Sequence, residues 1–129
     1  MLLVNVEHNQ EYWEFIRKLR TDPDTIMWFR NQNDITPEEQ QRYMELYHKD
    51  YYVCLLNKDM EPPIGFIGIM GNDIRYAVIP SMRGLGIGKF MLKEIKKMYP
   101  NAIAKVKQNN IASISALKSV GIFYRITGD

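Results

Sequence analysis

The most informative part of this sequence is segment 73–89, DIRYAVIPSMRGLGIGK. It joins a β-rich run, Asp73 to Ile79, through a glycine-rich turn to an amphipathic helix from roughly Gly86 to Met98. Because the first amides of a helix have no partner within it, this arrangement aims several backbone N–H groups at one point. The segment therefore predicts a site for a phosphate, and Lys89 adds a positive charge beside it.

The spacing of the glycines excludes two common phosphate-binding loops. A dinucleotide fingerprint needs a third glycine after Gly84 and Gly86, where Lys89 and Phe90 stand. A P-loop needs serine or threonine after Gly-Lys, and here Phe90 follows Lys89.

Strands and helices alternate on both sides of this segment. Upstream we predict a strand, a helix that opens at Asn9, and a second helix that Thr36-Pro37-Glu38-Glu39 starts with a capping box. The strands predicted around them are Leu2 to Val6, Tyr51 to Leu56, Ile64 to Met70 and Asp73 to Ile79, the last three as an antiparallel meander. Downstream we predict a strand from Asn101 to Val106, a helix from Asn110 to Val120 ended by Gly121, and a strand from Phe123 to Thr127. The order predicts one α+β domain over residues 1–129, built around one twisted sheet.

Composition narrows the class of partner. The 129 residues are 46% apolar, and 17 basic and 15 acidic residues are scattered along the chain, which argues against nucleic acid. Cys54 is the only cysteine and lies in an apolar run, so we expect a buried, inert thiol. No signal peptide, membrane span or metal site is expected, and we expect a cytoplasmic protein.

Two motifs resemble the GNAT superfamily of N-acetyltransferases. RxxGxG at Arg83, Gly86 and Gly88, after a strand that ends in Val78-Ile79-Pro80, resembles its acyl-CoA-binding loop. NxxSxxxLxxxG, from Asn110 to Gly121, looks like its second cofactor motif. The resemblance implies a mixed, twisted sheet flanked by helices and splayed between the fourth and fifth strands, here lacking the usual last strand.

The same resemblance implies acetyl-CoA as co-substrate and direct attack by an amine, with the N–H of Val78 or its neighbour stabilising the oxyanion. A merely flexible turn, and Asn110 acting only as a helix cap, remain as alternatives. The residues expected to bind the cofactor are Val78, Arg83, Gly84, Leu85, Gly86, Ile87, Gly88, Lys89, Asn110, Ser113 and Leu117.

The candidate catalytic residues are Asp73, Tyr76 and Ser113. Asp73 stands where many superfamily members carry a glutamate base, and Tyr76, on the opposite face of the same strand, is an alternative base or a core residue. His48 is a further candidate base, although capping the helix explains it better. The family's acid is a tyrosine at the position of Leu117, so Ser113 or Tyr124 would replace it, or the thiolate leaves unassisted.

The front half resembles members that acetylate nucleotide-linked deoxysugars, and more loosely those that act on protein N-termini. Trp28 would stack on a base or sugar and Arg30 would bind a phosphate, unless Trp28 packs in the core and Arg30 is solvated. The predicted partner is thus a small-molecule amine, with a nucleotide sugar as the specific candidate. A non-catalytic acyl-CoA-binding module and an interaction protein that lost the ligand are the alternatives.

The last predicted strand leaves an exposed edge. Because exposed edges invite pairing with another chain, we expect a homodimer.

Overall fold

The computed structural model describes residues 1–29 and 33–128. Within these residues it forms six strands and five α-helices, with short 3₁₀ turns at His48–Asp50 and Pro80–Met82. The strands are β1 (Leu2–Asn5), β2 (Tyr51–Leu55), β3 (Gly65–Met70), β4 (Asp73–Val78), β5 (Ala104–Lys107) and β6 (Tyr124–Thr127). The helices are α1 (Gln10–Thr21), α2 (Pro23–Ile26), α3 (Pro37–Tyr47), α4 (Ile87–Met98) and α5 (Ile111–Val120).

The strands form two sheets. Strands β1 to β4 pair antiparallel in chain order, while β5 and β6 pair parallel with each other. One parallel bridge, Asp73 to Ile103, joins the start of β4 to the residue before β5. There the Ile74 N–H donates to the Ile103 carbonyl at 2.8 Å. The predicted α+β class and antiparallel front half are confirmed, but the expectation of one continuous sheet is corrected, because β4 and β5 belong to separate ladders.

Local signals explain most helix boundaries. The capping box that starts α3 is present, since Thr36 Oγ1 accepts from the Glu39 N–H and Glu39 Oε1 accepts from the Thr36 N–H. Gly121 ends α5 with a φ of +80°, as predicted. Asp22-Pro23-Asp24 ends α1 but also starts α2, because the Asp22 side chain caps it and Pro23 occupies its first turn.

Each face of the four-stranded sheet is covered by helices. Trp13, Ile16 and Met44, from α1 and α3, are buried on one face. On the other face, Met91, Leu92 and Ile95 of α4 pack with Ile67 and with Leu117 of α5, and all are fully buried. Burying a side chain of this size stabilises the fold by about 1.5–3 kcal/mol.

Cys54 lies inside this second core and is fully buried. Burial raises the pKa of its thiol to about 11, so the expectation of an inert cysteine is confirmed. No helix in the described ranges is long and apolar enough to cross a membrane.

Candidate active site

A cleft of about 940 Å³ lies where β4 and β5 separate. Tyr76 and Val78 of β4 face Val106 and Lys107 of β5 across it. The glycine-rich loop closes one end, α5 forms one side, and the region from Arg20 to Phe29 forms the other. The cleft is therefore built by elements that are distant in sequence.

The glycine-rich loop presents bare backbone to this cleft. Gly84 and Gly86 have φ angles of +80° and +82°, and a Cβ on either would meet nothing within 4 Å. These glycines are required by the backbone conformation and not by packing. Their exposed side is open to a ligand.

The N-terminus of α4 lacks a capping side chain. The side chains of Asn9, Thr36 and Asn110 cap α1, α3 and α5, whereas Gly86 caps α4 with backbone alone. The Phe90 N–H makes the first intrahelical bond of α4, to the Gly86 carbonyl, so the preceding amides of Ile87, Gly88 and Lys89 have no partner within the helix. Together with the exposed Lys89 they fit the diphosphate of acetyl-CoA.

Gly88 has a different role from its neighbours. A Cβ on it would lie 3.3 Å from Cε2 of Tyr76 and 3.9 Å from Cγ2 of Val78. The missing side chain lets α4 approach β4 closely, which sets the depth of the cleft at this point.

Leu85 and Arg83, both expected to bind the cofactor, differ in their surroundings. Leu85 is 63% exposed and does not line the cleft. The Arg83 guanidinium donates to the carbonyls of Val78 (3.2 Å) and Asp24 (3.0 Å) and to Thr25 Oγ1 (2.8 Å). These hydrogen bonds tie the loop to α2. Arg83 also lines the cleft, so a contact of its side chain with the cofactor stays a prediction.

The residues of the second motif also differ in their surroundings. Asn110 lines the cleft, and its Oδ1 accepts from the Ser113 N–H at 3.2 Å, so it caps α5. Ser113 lines the cleft, with its Oγ 2.5 Å from the Tyr76 hydroxyl. Leu117 is fully buried in the core, and Ala116 lines the cleft in its place. The expectation that Leu117 contacts the cofactor is therefore wrong, because its face of α5 packs inward.

The free edge of β4 presents its amides to the cleft. The Ile79 N–H donates to the Ile64 carbonyl of the β3 side, and the antiparallel register continues as Ala77 to Phe66. Because alternate residues of a strand direct their N–H groups to opposite edges, those of Tyr76 and Val78 face the β5 side. Beyond the bridge at Asp73, the β5 side of β4 borders the open cleft.

The candidate acid and base groups have distinct surroundings. Burial raises the pKa of the Tyr76 phenol above its usual value, and the hydrogen bond with Ser113 offsets part of that rise. Asp73 forms an ion pair with Lys105, with Oδ2 and Nζ 3.1 Å apart. His48 Nδ1 lies 2.9 Å from the Met44 carbonyl, so the capping interpretation of His48 is confirmed.

The two neighbouring aromatic residues on the acceptor side, Trp28 and Phe29, have different surroundings. Phe29 packs against the core beneath α1, and the Arg20 guanidinium lies 3.9 Å from its ring centre. Trp28 is half-buried and lines the cleft. Arg30 lies outside the described residues.

The family model for the acetyltransferase (GNAT) domain matches residues 2–122, nearly the whole chain. The chain belongs to the GNAT acetyltransferase family. The GNAT family implies acetyl-CoA as the co-substrate.

Individual relatives are distant. The peptidyl-lysine N-acetyltransferase YjaB of Salmonella typhimurium is 28% identical over 71 residues, which is 54% of this chain and 48% of the relative. The match thus spans about half the length of that curated relative. A domain from Methanocaldococcus jannaschii superposes with a TM-score of 0.74 at 18% identity, covering 93% of this chain and 86% of that one. Spermidine N-acetyltransferase from Vibrio cholerae, solved with CoA and spermine, gives a TM-score of 0.74 at 12% identity, covering 93% of this chain and 79% of that one. At these identities the structures establish a shared fold.

Sequence reasoning missed most of the charged side chains in the cleft of this acetyltransferase domain. Arg20 and Arg75 line it, and so do Lys105 and Lys107. Arg20 belongs to a run of alternating basic and apolar residues in α1, and this pattern is typical of a solvent-exposed helix face. No local pattern marks the other three, since their placement depends on how β4 and β5 diverge.

Proposed function

We propose that this protein transfers an acetyl group from acetyl-CoA to a primary amine by direct attack, without a covalent enzyme intermediate. The proposal rests on one arrangement: a single cleft connects the uncapped α4 N-terminus, the free N–H edge of β4 and the Tyr76–Ser113 pair. When bound, acetyl-CoA supplies a thioester, so the amine forms a C–N bond as the C–S bond breaks and the thiolate leaves.

The backbone supplies the binding and electrostatic parts of this mechanism. The amides of Ile87, Gly88 and Lys89 hold the diphosphate at the N-terminal end of α4. The Val78 N–H faces the splay between the fourth and fifth strands and donates to the oxygen that becomes negative during attack.

Proton transfer is assigned to two side chains on opposite faces of β4. The raised pKa keeps Tyr76 protonated at neutral pH, which suits a donor to the leaving sulfur better than the base first considered for it. Ser113 orients its hydroxyl. Asp73 remains the candidate base for the amine, held in place by Lys105.

A more specific proposal concerns the identity of the acceptor. An amino group on a nucleotide-linked deoxysugar fits Trp28, whose half-buried ring is available for stacking on a base or sugar. A protein amine or another small amine is the alternative, favoured by the peptidyl-lysine N-acetyltransferase relative.

We also propose a homodimer. In the described part of the chain β6 pairs with β5 alone, and apolar side chains are exposed beside its edge, Phe123 at 85% and Ile126 at 46%.

A calorimetric titration with acetyl-CoA tests the binding half of this function. Gly86→Ala places a methyl group where the cofactor should lie and strains a positive φ, so we expect affinity to fall at least ten-fold. Gly71→Ala is the matched control, because Gly71 has a φ of +64°, equally open surroundings and a place in the β3–β4 turn outside the cleft. Equal loss of affinity in both variants would contradict the loop assignment.

Release of free thiol with a panel of primary amines tests the transfer half. Thiol release that needs both acetyl-CoA and an amine supports the transferase. Tight cofactor binding with no amine-dependent thiol release would identify a non-catalytic acyl-CoA-binding module, and no binding would favour an interaction protein.

A further inference from the structure

The cleft is strongly basic. Among the described residues that line it, six are lysine or arginine and one, Asp73, is acidic. Asp73 is already paired with Lys105. The cleft thus offers a large excess of positive charge to whatever it binds.

Several of these cations already have structural roles. Arg83 donates to α2, and Lys107 Nζ donates to the Met27 carbonyl at 2.7 Å. Lys89 lies in the first turn of α4, at the end proposed for the diphosphate. Arg75 has no such role within the described residues, and Arg20 lines the same cleft.

Arg75 is a cleft-lining guanidinium with a solvent-exposed side chain. Within residues 1–29 and 33–128, its side chain makes no hydrogen bond or ion pair. A planar guanidinium has five N–H donors and is suited to bidentate binding of a carboxylate or phosphate.

Arg20 lines the same cleft as Arg75, and the two charges influence each other. Burial lowers the pKa of the half-buried Arg20 guanidinium, and the positive charge of Arg75 lowers it further. Stacking on Phe29 orients the plane of Arg20. Two like charges in one partly desolvated cleft repel, and an anion bound between them would relieve that repulsion.

The position of the pair separates it from the cofactor end. Side chains alternate along β4, so Arg75 shares a face with Asp73 and Ala77, and Ala77 packs with the core beneath α1 and α3. Tyr76 and Val78 lie on the other face, against α4. The two arginines therefore lie on the Asp73 and Trp28 side, where the proposed function places the amine.

We propose that the acetyl acceptor carries an anionic group, a carboxylate or a phosphate, that binds between Arg20 and Arg75. This inference rests on the proposed transferase function. It predicts that the protein discriminates against polyamines, whose positive charge the cleft repels.

Matched amines that differ in one group provide the test. The carboxylate arm compares 4-aminobutyrate with butylamine, the phosphate arm compares phosphoethanolamine with ethanolamine, and spermidine serves as the cationic probe. Binding is measured by calorimetry on protein saturated with CoA, and kcat/KM by thiol release from acetyl-CoA. We expect at least a ten-fold preference for the anionic member in one arm, and that arm identifies the anion.

Arg75→Gln and Arg20→Gln should each reduce that preference at least five-fold while acetyl-CoA affinity stays within two-fold. Arg125→Gln is the control, because Arg125 is exposed on β6 and does not line the cleft. Arg20→Lys is a second variant, which keeps the positive charge but loses the planar guanidinium. It keeps the test valid if Arg20→Gln does not fold.

No anionic preference in either arm, or a preference that survives both substitutions, overturns the inference. Equal turnover of neutral, cationic and anionic amines leaves the transferase standing without an anion site. Preferential binding of an anionic amine without thiol release from any amine supports the anion site and contradicts the transferase.

Discussion

Tyr76 is positioned by residues from three elements. The missing side chain of Gly88 makes room for its ring, Ser113 of α5 lies 2.5 Å from its hydroxyl, and β4 directs it into the cleft. Its raised pKa makes the neutral phenol the dominant form at physiological pH. In the proposed function, Tyr76 acts as the proton donor in place of the tyrosine that the family resemblance implies at the position of Leu117.

Tyr76→Phe should therefore lower kcat by about 10- to 100-fold, because general acid catalysis contributes at least about 100-fold at a demanding step and a thiolate leaves readily. Acetyl-CoA affinity should change less than two-fold. Steady-state kinetics and calorimetry measure the two effects. The matched control is Tyr124→Phe, since Tyr124 is half-buried on β6 and outside the cleft. A loss of kcat in Tyr124→Phe alone would move the acid to Tyr124.

The pH profile tests the same group. An acid must be protonated to act, so activity that depends on Tyr76 is present at low pH and is lost as pH rises through its pKa. Because that pKa lies above the usual tyrosine value of about 10, we expect kcat to stay flat on the alkaline side up to about pH 10. A decline in kcat near pH 8 that disappears in Tyr76→Phe would contradict the raised pKa.

At the scale of elements, the short helix α2 and the residues after it are tied to both walls of the cleft. Arg83, beyond the end of β4, donates to Asp24 and Thr25, and Lys107 of β5 donates to Met27. The segment spans the opening between β4 and β5 and carries Trp28. Its position thus depends on two long side chains from opposite walls.

Replacing either tether should loosen the acceptor wall. Each charged hydrogen bond contributes about 1.5–3 kcal/mol, so Arg83→Met and Lys107→Met should raise the acceptor KM by roughly ten-fold or more. Acetyl-CoA affinity should change little, and kinetics with each substrate varied in turn separates the effects. Lys93→Met is the control on the exposed face of α4. Weakened acetyl-CoA binding with an unchanged acceptor KM would show that Arg83 serves the cofactor after all.

Helix α5 contributes one face to the cleft and the other to the core. Leu117→Ala should lower the free energy of unfolding by about 2–5 kcal/mol, because it leaves a cavity in a fully buried site. The folded protein should keep its acetyl-CoA affinity. Ile111→Ala is the control at a position of the same helix that is 70% exposed, and denaturant titration measures both. Weakened cofactor binding without a loss of stability would restore the direct contact.

On the scale of the whole molecule, β6 is one of the open sheet edges in the described part of the chain. We expect sedimentation to report a dimer mass at micromolar concentration, and Phe123→Asp to shift the population to monomer by placing a charge in the interface. Leu46→Asp is the control, because Leu46 is 74% exposed on α3, away from β6. A monomer mass for the unaltered chain would reject the proposed dimer.

Features that depend on neighbours in the chain were predictable from the amino-acid sequence. The glycine loop, the capping box of α3, the αL end of α5 and the strand order follow from backbone dihedrals and hydrogen bonds that act over a few residues. Tyr76 is identified as a candidate from its place on the predicted strand, and Ser113 from the resemblance of its motif to the family. Local rules do not predict the 2.5 Å contact between these two residues, because they are 37 positions apart in the chain.

Packing decided which way each side chain points and which distant residues it contacts. Along α5, one residue of rotation separates Ala116, which lines the cleft, from Leu117, which is fully buried, and motif spacing does not distinguish them. Arg83 binds Asp24, 59 positions upstream, and Arg20 lines the same cleft as Arg75 because α1 packs on the face of the sheet that contains β4. Local chemistry sets the conformation of each element, but the face that an element presents and the charges it meets depend on long-range burial of the apolar surfaces.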